Sequence, residues 1–569
     1  MTGAFTTRPE LHGTFGMVAS THWLASATGM RLLEAGGNAF DAAAAAGFVL
    51  QVVEPHLNGP GGDLPIVLYS AERDEVIVVC GQGPAPASAT IDCFAELGLE
   101  LVPGTGLLAA CVPGAVDAWL RMLLELGTAR LRDVLEPAIA YARDGHPVLP
   151  RVAAAIAAME ERFRTEWPTS VATWLPVPAP WSLFRNPVLA ETYSRMLEDA
   201  EAASQHRDAQ IQAARDAFYR GFVAEAIGAF SERSAGLLSS VDLADFEATF
   251  EPPVALEYAG WTVFKTGPWG QGPVFLQQLA LLEGFDLDEM VATPDFAHTV
   301  LECSKLAFAD REAWYGDPDF TNVPLDRLLS EGYADERRLL VGPTASSDLR
   351  PGLEGARLPK LPGDSLLLGA GTGEPTRGDT CHLDVVDRFG NLVSATPSGG
   401  WLQSSPVVPE LGFPLGTRAQ MFWLEDGLPN SLAPRKRPRT TLSPSLARRD
   451  GELLAFGTPG GDQQDQWSLL FFLHHVHYEP NLQAAIDLPM LHSNHFPSSF
   501  HPRQARPRHV EIEGRIPAPL VDDLRHRGHD VEVVDGWSLG RVSVAARGSD
   551  GVLRAAANPR GMQGYAVGR

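Results

Sequence analysis

The feature that most constrains this chain is a change of character two-thirds of the way along it, at Arg377-Gly378-Asp379-Thr380-Cys381-His382. Residues 343–379 are rich in Gly, Pro and Ser and show little periodicity, which reads as a mobile linker. Residues 380–387 then alternate like a strand, and residues 392–396 return around Phe389-Gly390-Asn391 as the second arm of a hairpin. A threonine at the head of a strand, beside a flexible joint, has one special use. Its hydroxyl is a poor nucleophile, but a cut just before it frees an amine that serves as its base. An α-amine has a reference pKa of about 7.7–8.0, so a useful fraction is already unprotonated at neutral pH, and modest burial raises that fraction. The chain is therefore expected to be a precursor that cuts itself between Asp379 and Thr380.

The rest of the sequence divides around that point. Residues 25–34 read as a helix stopped by Gly36-Gly37, and Asn38 caps an alanine-rich helix over residues 41–53 that ends at Pro55. Asn58-Gly59-Pro60-Gly61-Gly62 is a loop, followed by a strand pair at residues 66–69 and 76–80. Helical periodicity dominates residues 112–320, interrupted at the Pro-rich residues 167–181, which read as a surface insertion. Beyond Thr380, strands are expected at residues 453–457, 531–534 and 542–546, with a helix over 464–474. The expectation is a helix-rich piece, residues 1–379, and a β-rich piece, residues 380–569.

Composition excludes some partners. With 70 acids against 45 bases the formal charge is −25, a surface that repels nucleic acid and anionic membranes. The longest apolar run, residues 42–53, falls short of the roughly 20 residues that span a bilayer, and residues 1–16 carry no secretory signal pattern. The reading is a soluble, cytoplasmic protein without nucleic-acid or membrane partners. The five cysteines are odd in number and lack a C-x-x-C pair, so neither a disulfide framework nor a zinc site is indicated. Cys381 competes with Thr380 as nucleophile, but in an alternating strand its side chain faces the other way.

A threonine nucleophile also needs an oxyanion hole and an orienting hydroxyl. Pro459-Gly460-Gly461 lies between a strand and a helix, so two backbone N–H groups stand at the positive end of that helix. The same glycines are equally read as a tight turn. Ser398, just past the return strand, supplies a hydroxyl near Thr380. Two histidine groups, His474/His475/His477 and His492/His495/His501, match no zinc spacing and are read as structural, so no metal is expected. Arg435-Lys436-Arg437-Pro438-Arg439 is read as a solvated turn. No phosphate-binding glycine motif is present, and no cofactor is expected.

Ten short matches in one order carry a family resemblance. They are Met17-Val18-Ala19-Ser20, Leu24-Ala25-Ser26, Gly36-Gly37-Asn38-Ala39-Phe40-Asp41-Ala42-Ala43, Val53-Glu54-Pro55-His56, Val112-Pro113-Gly114, Ala307-Phe308-Ala309-Asp310-Arg311, Gly316-Asp317-Pro318-Asp319-Phe320, Lys436-Arg437-Pro438, Leu442-Ser443-Pro444 and Pro459-Gly460-Gly461. Over nearly its whole length the chain resembles the γ-glutamyltranspeptidases, which are N-terminal nucleophile hydrolases. The resemblance implies an α+β fold, a four-layer αββα sandwich shared by two subunits cut from one precursor, and an αβ heterodimer that can itself pair. It implies a small amide or peptide substrate and water or an amine as acceptor. It places the nucleophile at Thr380, the orienting hydroxyl at Ser398, the oxyanion pair at Gly460 and Gly461, and substrate-binding hydroxyls at Thr396, Thr440 and Thr441.

The departures from the family bear on the substrate. Gln82 stands where the resemblance puts an arginine that clamps the glutamyl α-carboxylate. Gly400 replaces a donor-binding asparagine, Met421 an acid that holds the α-ammonium, and Arg418 a glutamine. Burying a zwitterionic head needs a partner for each charge, and both are missing here. The expected reaction is therefore amide hydrolysis or acyl transfer from a donor other than an ordinary γ-glutamyl compound, with Trp401 and Arg418 hinting at an acyl group that bears one carboxylate. The alternatives are a cephalosporin or glutaryl-amide acylase of the same family, and an uncut, non-catalytic binding protein on the same fold.

Overall fold

Strand Leu383–Asp387 is buried at every residue, the mark of a strand covered on both faces. In the computed structural model, which describes residues 5–290, 293–361 and 379–569, it lies inside a sheet ordered Tyr565–Gly568, Gly16–Ser20, Leu383–Asp387, Leu392–Ala395, Leu64–Ser70, Glu75–Gly81, Thr249–Glu251. A second sheet runs Leu11–Gly13, Leu553–Ala557, Ser543–Arg547, Glu452–Gly457, Ser445–Arg449, Trp261–Lys265, Val254–Tyr258. Neighbouring strands in both are antiparallel.

The two sheets stack face to face. Met17, Val67, Val78, Val386 and Leu392 of the first form one apolar cluster with Phe264, Leu446, Ala455 and Ala545 of the second. The outer face of the first sheet is covered by helices that include Trp23–Glu34, Ala39–Val53, Ala115–Leu126 and Leu131–Asp144. That of the second is covered by Gly272–Leu282, Pro294–Trp314 and Gln464–His477. The fold is thus the αββα sandwich, as the resemblance implied.

Local chemistry explains the elements at the centre. Helix Ala39–Val53 is buried throughout, and its alanines let it lie close to the sheet. It opens on a capping box in which Asn38 and Asp41 satisfy each other's backbone N–H groups. Asp387 closes the hairpin by accepting from the N–H groups of Phe389 and Asn391, and its other oxygen accepts from Ala39 at the start of that helix. The hairpin is thereby bolted to the helical layer.

Both sheets draw strands from either side of Thr380, so the helix-rich and β-rich stretches are interleaved and not side by side. Residues 343–361 form neither helix nor strand; the remainder of the expected linker, residues 362–378, lies outside the described residues. Residues 167–181 lie at the surface in part, with Pro168, Ala172, Pro176, Ala179 and Pro180 exposed, but they are anchored inward by tryptophans. Trp167 and Trp174 are buried with Val148, Phe163, Leu402 and Val407, whereas Trp181 is exposed. The prolines break the helix but leave large aromatic side chains whose burial outweighs the irregular backbone. Among the described residues no helix is long and apolar enough to cross a membrane.

Candidate active site

Thr380 continues the central hairpin by one more antiparallel bridge, to Ser398. Its Oγ1 lies 3.2 Å from Ser398 Oγ, and Ser398 Oγ also donates to the Asp379 carbonyl oxygen at 3.2 Å. One hydroxyl thus touches both the candidate nucleophile and the bond that it would break. Cys381 faces the helical layer, where Asn58 donates to its Sγ and the thiol donates to Glu54, each at 3.1 Å. Burial, and then the Glu54 carboxyl, push the Cys381 thiol well above its ordinary value, which removes the thiolate a cysteine nucleophile needs.

Asp379 is held by a residue that the sequence did not single out. Arg541 forms a two-pronged pair with its carboxylate, Nη2 donating to Oδ1 at 2.7 Å and Nη1 meeting Oδ2. Gln563 Oε1 accepts from Arg541 and, at 3.2 Å, from Arg151. The Arg541 N–H donates to Thr458 Oγ1 at 2.9 Å, which ties this clamp to the loop Thr458-Pro459-Gly460-Gly461.

That loop ends strand Glu452–Gly457 and enters a short 3₁₀ turn, Gly461–Gln463, ahead of helix Gln464–His477. Gly460 has φ +133° and Gly461 φ +59°, and a Cβ on Gly460 would lie 2.2 Å from the Trp467 ring. Among the described residues no group accepts from either N–H. The loop is braced from below. Gln271 donates to the Gly461 carbonyl at 3.3 Å, and Arg311 bonds Gln271 at 2.8 Å and Asp462 at 2.5 Å. Arg311, met in the sequence only as part of a motif, is a positioning residue for the glycine pair.

On the other side of Ser398 stands Asp63, its N–H and C=O both bonded to the Ser398 backbone. Its Oδ1 accepts from Arg418 Nη2 at 2.8 Å, with both side chains buried, and the guanidinium lies 5.4 Å from the centre of the Trp401 ring. Burial raises the Asp63 carboxyl above its usual range, opposed first by Arg418 and more weakly by the Thr440 hydroxyl. Arg418 is therefore not the free cation that the sequence suggested; a buried carboxylate already neutralises it. Asp63 was missed because it ends a glycine run that read as loop.

The remaining expected residues separate. Thr440 joins this cluster through Asp63, and Thr441 beside it carries a buried hydroxyl with no partner among the described residues. Gly400 has φ +63°, and a Cβ there would meet Gly62 N at 2.9 Å and Gly61 C at 3.0 Å, so the backbone of residues 61–62 fills the space of an asparagine side chain. Thr396 is not with them: its hydroxyl bonds His382 Nδ1 at 2.9 Å, and that ring lies against Gly457 of the facing sheet. Gln82 is buried beside a cavity of about 300 Å³ lined also by Cys80, Thr249, Asp317 and Arg437, which neither Thr380 nor Ser398 reaches.

Two further expectations met the structure. Of the run from Arg435 to Arg439 only Arg435 lies in a solvated turn. Arg437 pairs with Asp317 and Glu251, buried Arg439 pairs with Glu312, and Lys436 is buried too. The carboxylates that draw the run inward come from distant segments and are invisible locally. His474 and His475 are buried, and burial lowers both to about 4. Among the described residues His298, Glu302 and His529 come within metal-binding reach, yet His298 bonds His529 at 2.9 Å and Glu302 is taken by Lys305 and Arg350.

A sandwich of this type, with a threonine hydroxyl at the head of a central strand, defines the N-terminal nucleophile hydrolase class. A sequence profile of the γ-glutamyltranspeptidases matches residues 25–568. A solved structure of LmbA2991 is 54% identical, with TM-score 0.94, covering 100% of both chains. The cephalosporin acylase of Bacillus halodurans has TM-score 0.85 and 29% identity, covering 99% of this chain and 97% of that one. The glutathione hydrolase-like YwrD proenzyme of Bacillus subtilis is 31% identical over 98% of this chain and 99% of its own length. The chain belongs to the γ-glutamyltranspeptidase family, and it is an enzyme.

Proposed function

We propose that the chain matures by cutting itself before Thr380, and that Thr380 then hydrolyses or transfers the acyl group of an amide. The observation that carries this is the single contact chain from Thr380 Oγ1 through Ser398 Oγ to the Asp379 carbonyl. In the first reaction a Thr380 Oγ–C bond forms, the Asp379–Thr380 C–N bond breaks, and the hydroxyl proton ends on the departing nitrogen. Water then hydrolyses the ester and leaves a free Thr380 amine. That amine is the base of the second reaction, in which Gly460 and Gly461 hold the oxyanion. The products are two interleaved pieces, residues 1–379 and 380–569, that stay together as an αβ pair.

The donor is not an ordinary γ-glutamyl compound. Support comes from Arg418 neutralised by Asp63 and from the filled space at Gly400. An acylase reading is favoured by the likeness to cephalosporin acylase along nearly the whole of both chains. The test is the intact mass and N-terminal sequence of purified protein. Fragments beginning at the N-terminus and at Thr380 are expected, and Thr380→Ala should abolish both the cut and amide turnover. A chain that stays whole on long incubation, yet is active, would refute the mechanism.

A further inference from the structure

Arg541 is a cation paired to the residue that carries the bond of the proposed cut. While the chain is whole, Arg541 is occupied by Asp379, whose carbonyl is the one Thr380 would attack. Arg541 is largely buried, with its side chain 12% exposed, and it is built in by Gln563 and Thr458. Arg151 stands behind it on the same Gln563 oxygen and makes no ion pair among the described residues. Arg151 is exposed, and its charge is opposed by Arg541 and favoured by Asp379 and, more weakly, by Glu54. Once the Asp379–Thr380 bond is hydrolysed, Asp379 is a chain end tethered on its N-terminal side alone, carrying its side-chain carboxylate and a new α-carboxylate, and the hold of Asp379 on the largely buried Arg541 no longer passes through Thr380. When that chain end departs, the largely buried Arg541 guanidinium is left without its carboxylate, which is costly, and a substrate carboxylate is the group that relieves it.

We propose that Arg541 becomes the carboxylate anchor of the mature enzyme, and that the donor is an amide whose acyl group carries a carboxylate at succinyl spacing. This rests on the reading of Thr380 as nucleophile. The spacing is copied from the uncut chain. In Asp379 two carbons, Cα and Cβ, separate the carbonyl carbon from the carboxylate that Arg541 grips, as two carbons do in a succinyl amide. Self-cleavage thus acts on an internal copy of the donor. Turnover forms a succinyl ester on Thr380 Oγ, releases the amine with the hydroxyl proton, and consumes one water to return succinate. No α-ammonium is required, which agrees with the absence of an acid at Met421.

The experiment uses wild-type protein shown by mass to be cut, with N-succinyl, N-glutaryl, N-butyryl and γ-glutamyl p-nitroanilides. Succinyl should exceed butyryl, its uncharged analogue, by at least about tenfold in kcat/KM, the scale of a hydrogen-bonded charge. Glutaryl should fall between them, and Arg541→Gln should bring the succinyl-to-butyryl ratio close to one. If Arg541→Gln fails to cut, the wild-type ratio decides alone. A cut enzyme that turns over butyryl as well as succinyl keeps Thr380 as nucleophile and removes Arg541 as anchor. A cut enzyme inert toward all four removes the substrate class, and a chain that stays whole and inert removes both proposals.

Discussion

Replacing Arg418 by methionine should expose how much the Asp63 pair matters to the wall of the site. The two side chains are 4% and 5% exposed, so the carboxylate has little water to fall back on. Breaking a buried pair by removing one partner costs about 3–5 kcal/mol, because the other charge is left uncompensated. Unfolding entropy of about 2.1 cal/mol/K per residue, over 569 residues, is about 1.2 kcal/mol/K, so the expected fall in Tm is about 2–4 °C. The double variant Asp63→Asn/Arg418→Met should recover at least half of that fall, since no charge is stranded. The contact with Trp401 is lost in both and cancels from the comparison.

The sign with pH follows from Asp63. Its folded pKa is raised above the unfolded value of about 3.9, so its contribution is most favourable below that value and is lost as pH rises through the folded pKa. Removing Arg418 raises the folded pKa further. The deficit of Arg418→Met should therefore be small near pH 5 and widen toward pH 8, as read by differential scanning calorimetry in a Thr380→Ala background that keeps every molecule in one covalent state. A single variant as stable as the double, or a deficit that narrows as pH rises, would refute the reasoning.

Gly460→Ala should fold with difficulty and lose activity, because its Cβ would overlap Trp467 and move a candidate oxyanion donor. A fall in kcat of about 10²–10³ is expected by anilide assay, and unchanged turnover would remove the donor role. Gly400→Asn, which puts back the residue the family resemblance implies, should not create γ-glutamyl activity and should lower Tm, since residues 61–62 occupy its space and the backbone is left-handed there. A gain of γ-glutamyl anilide turnover in that variant would show that the loop yields.

Much of the fold was legible along the chain because its signals are local. The cap at Asn38, the hairpin turn at Gly390 and the glycine pair ahead of helix Gln464–His477 each act within a few residues. The strand pair at residues 66–69 and 76–80 showed as apolar runs, whereas the central strand Leu383–Asp387 read as alternating and is buried on both faces, its polar side chains being paired inside the fold. What stayed hidden was anything paired across long separations. Arg541 and Asp379 are 162 residues apart, and Arg418 and Asp63 are 355 apart, so no window contains both partners. Arg437 looked solvated for the same reason, because Asp317 and Glu251 lie far away in sequence.

The sequence by itself therefore determined the local pieces on which the proposed chemistry rests, namely a threonine at the head of a strand, a hydroxyl returning beside it, and a glycine pair at a helix start. Each depends on residue type and on short-range geometry, which a linear reading preserves. Only the tertiary structure decided the charges. It neutralised Arg418 with Asp63, gave Arg541 to Asp379 and filled the place of an asparagine at Gly400 with backbone. Charge in a buried site is set by what lies within a few ångströms in space, and in an interleaved sandwich those neighbours come from opposite ends of the chain.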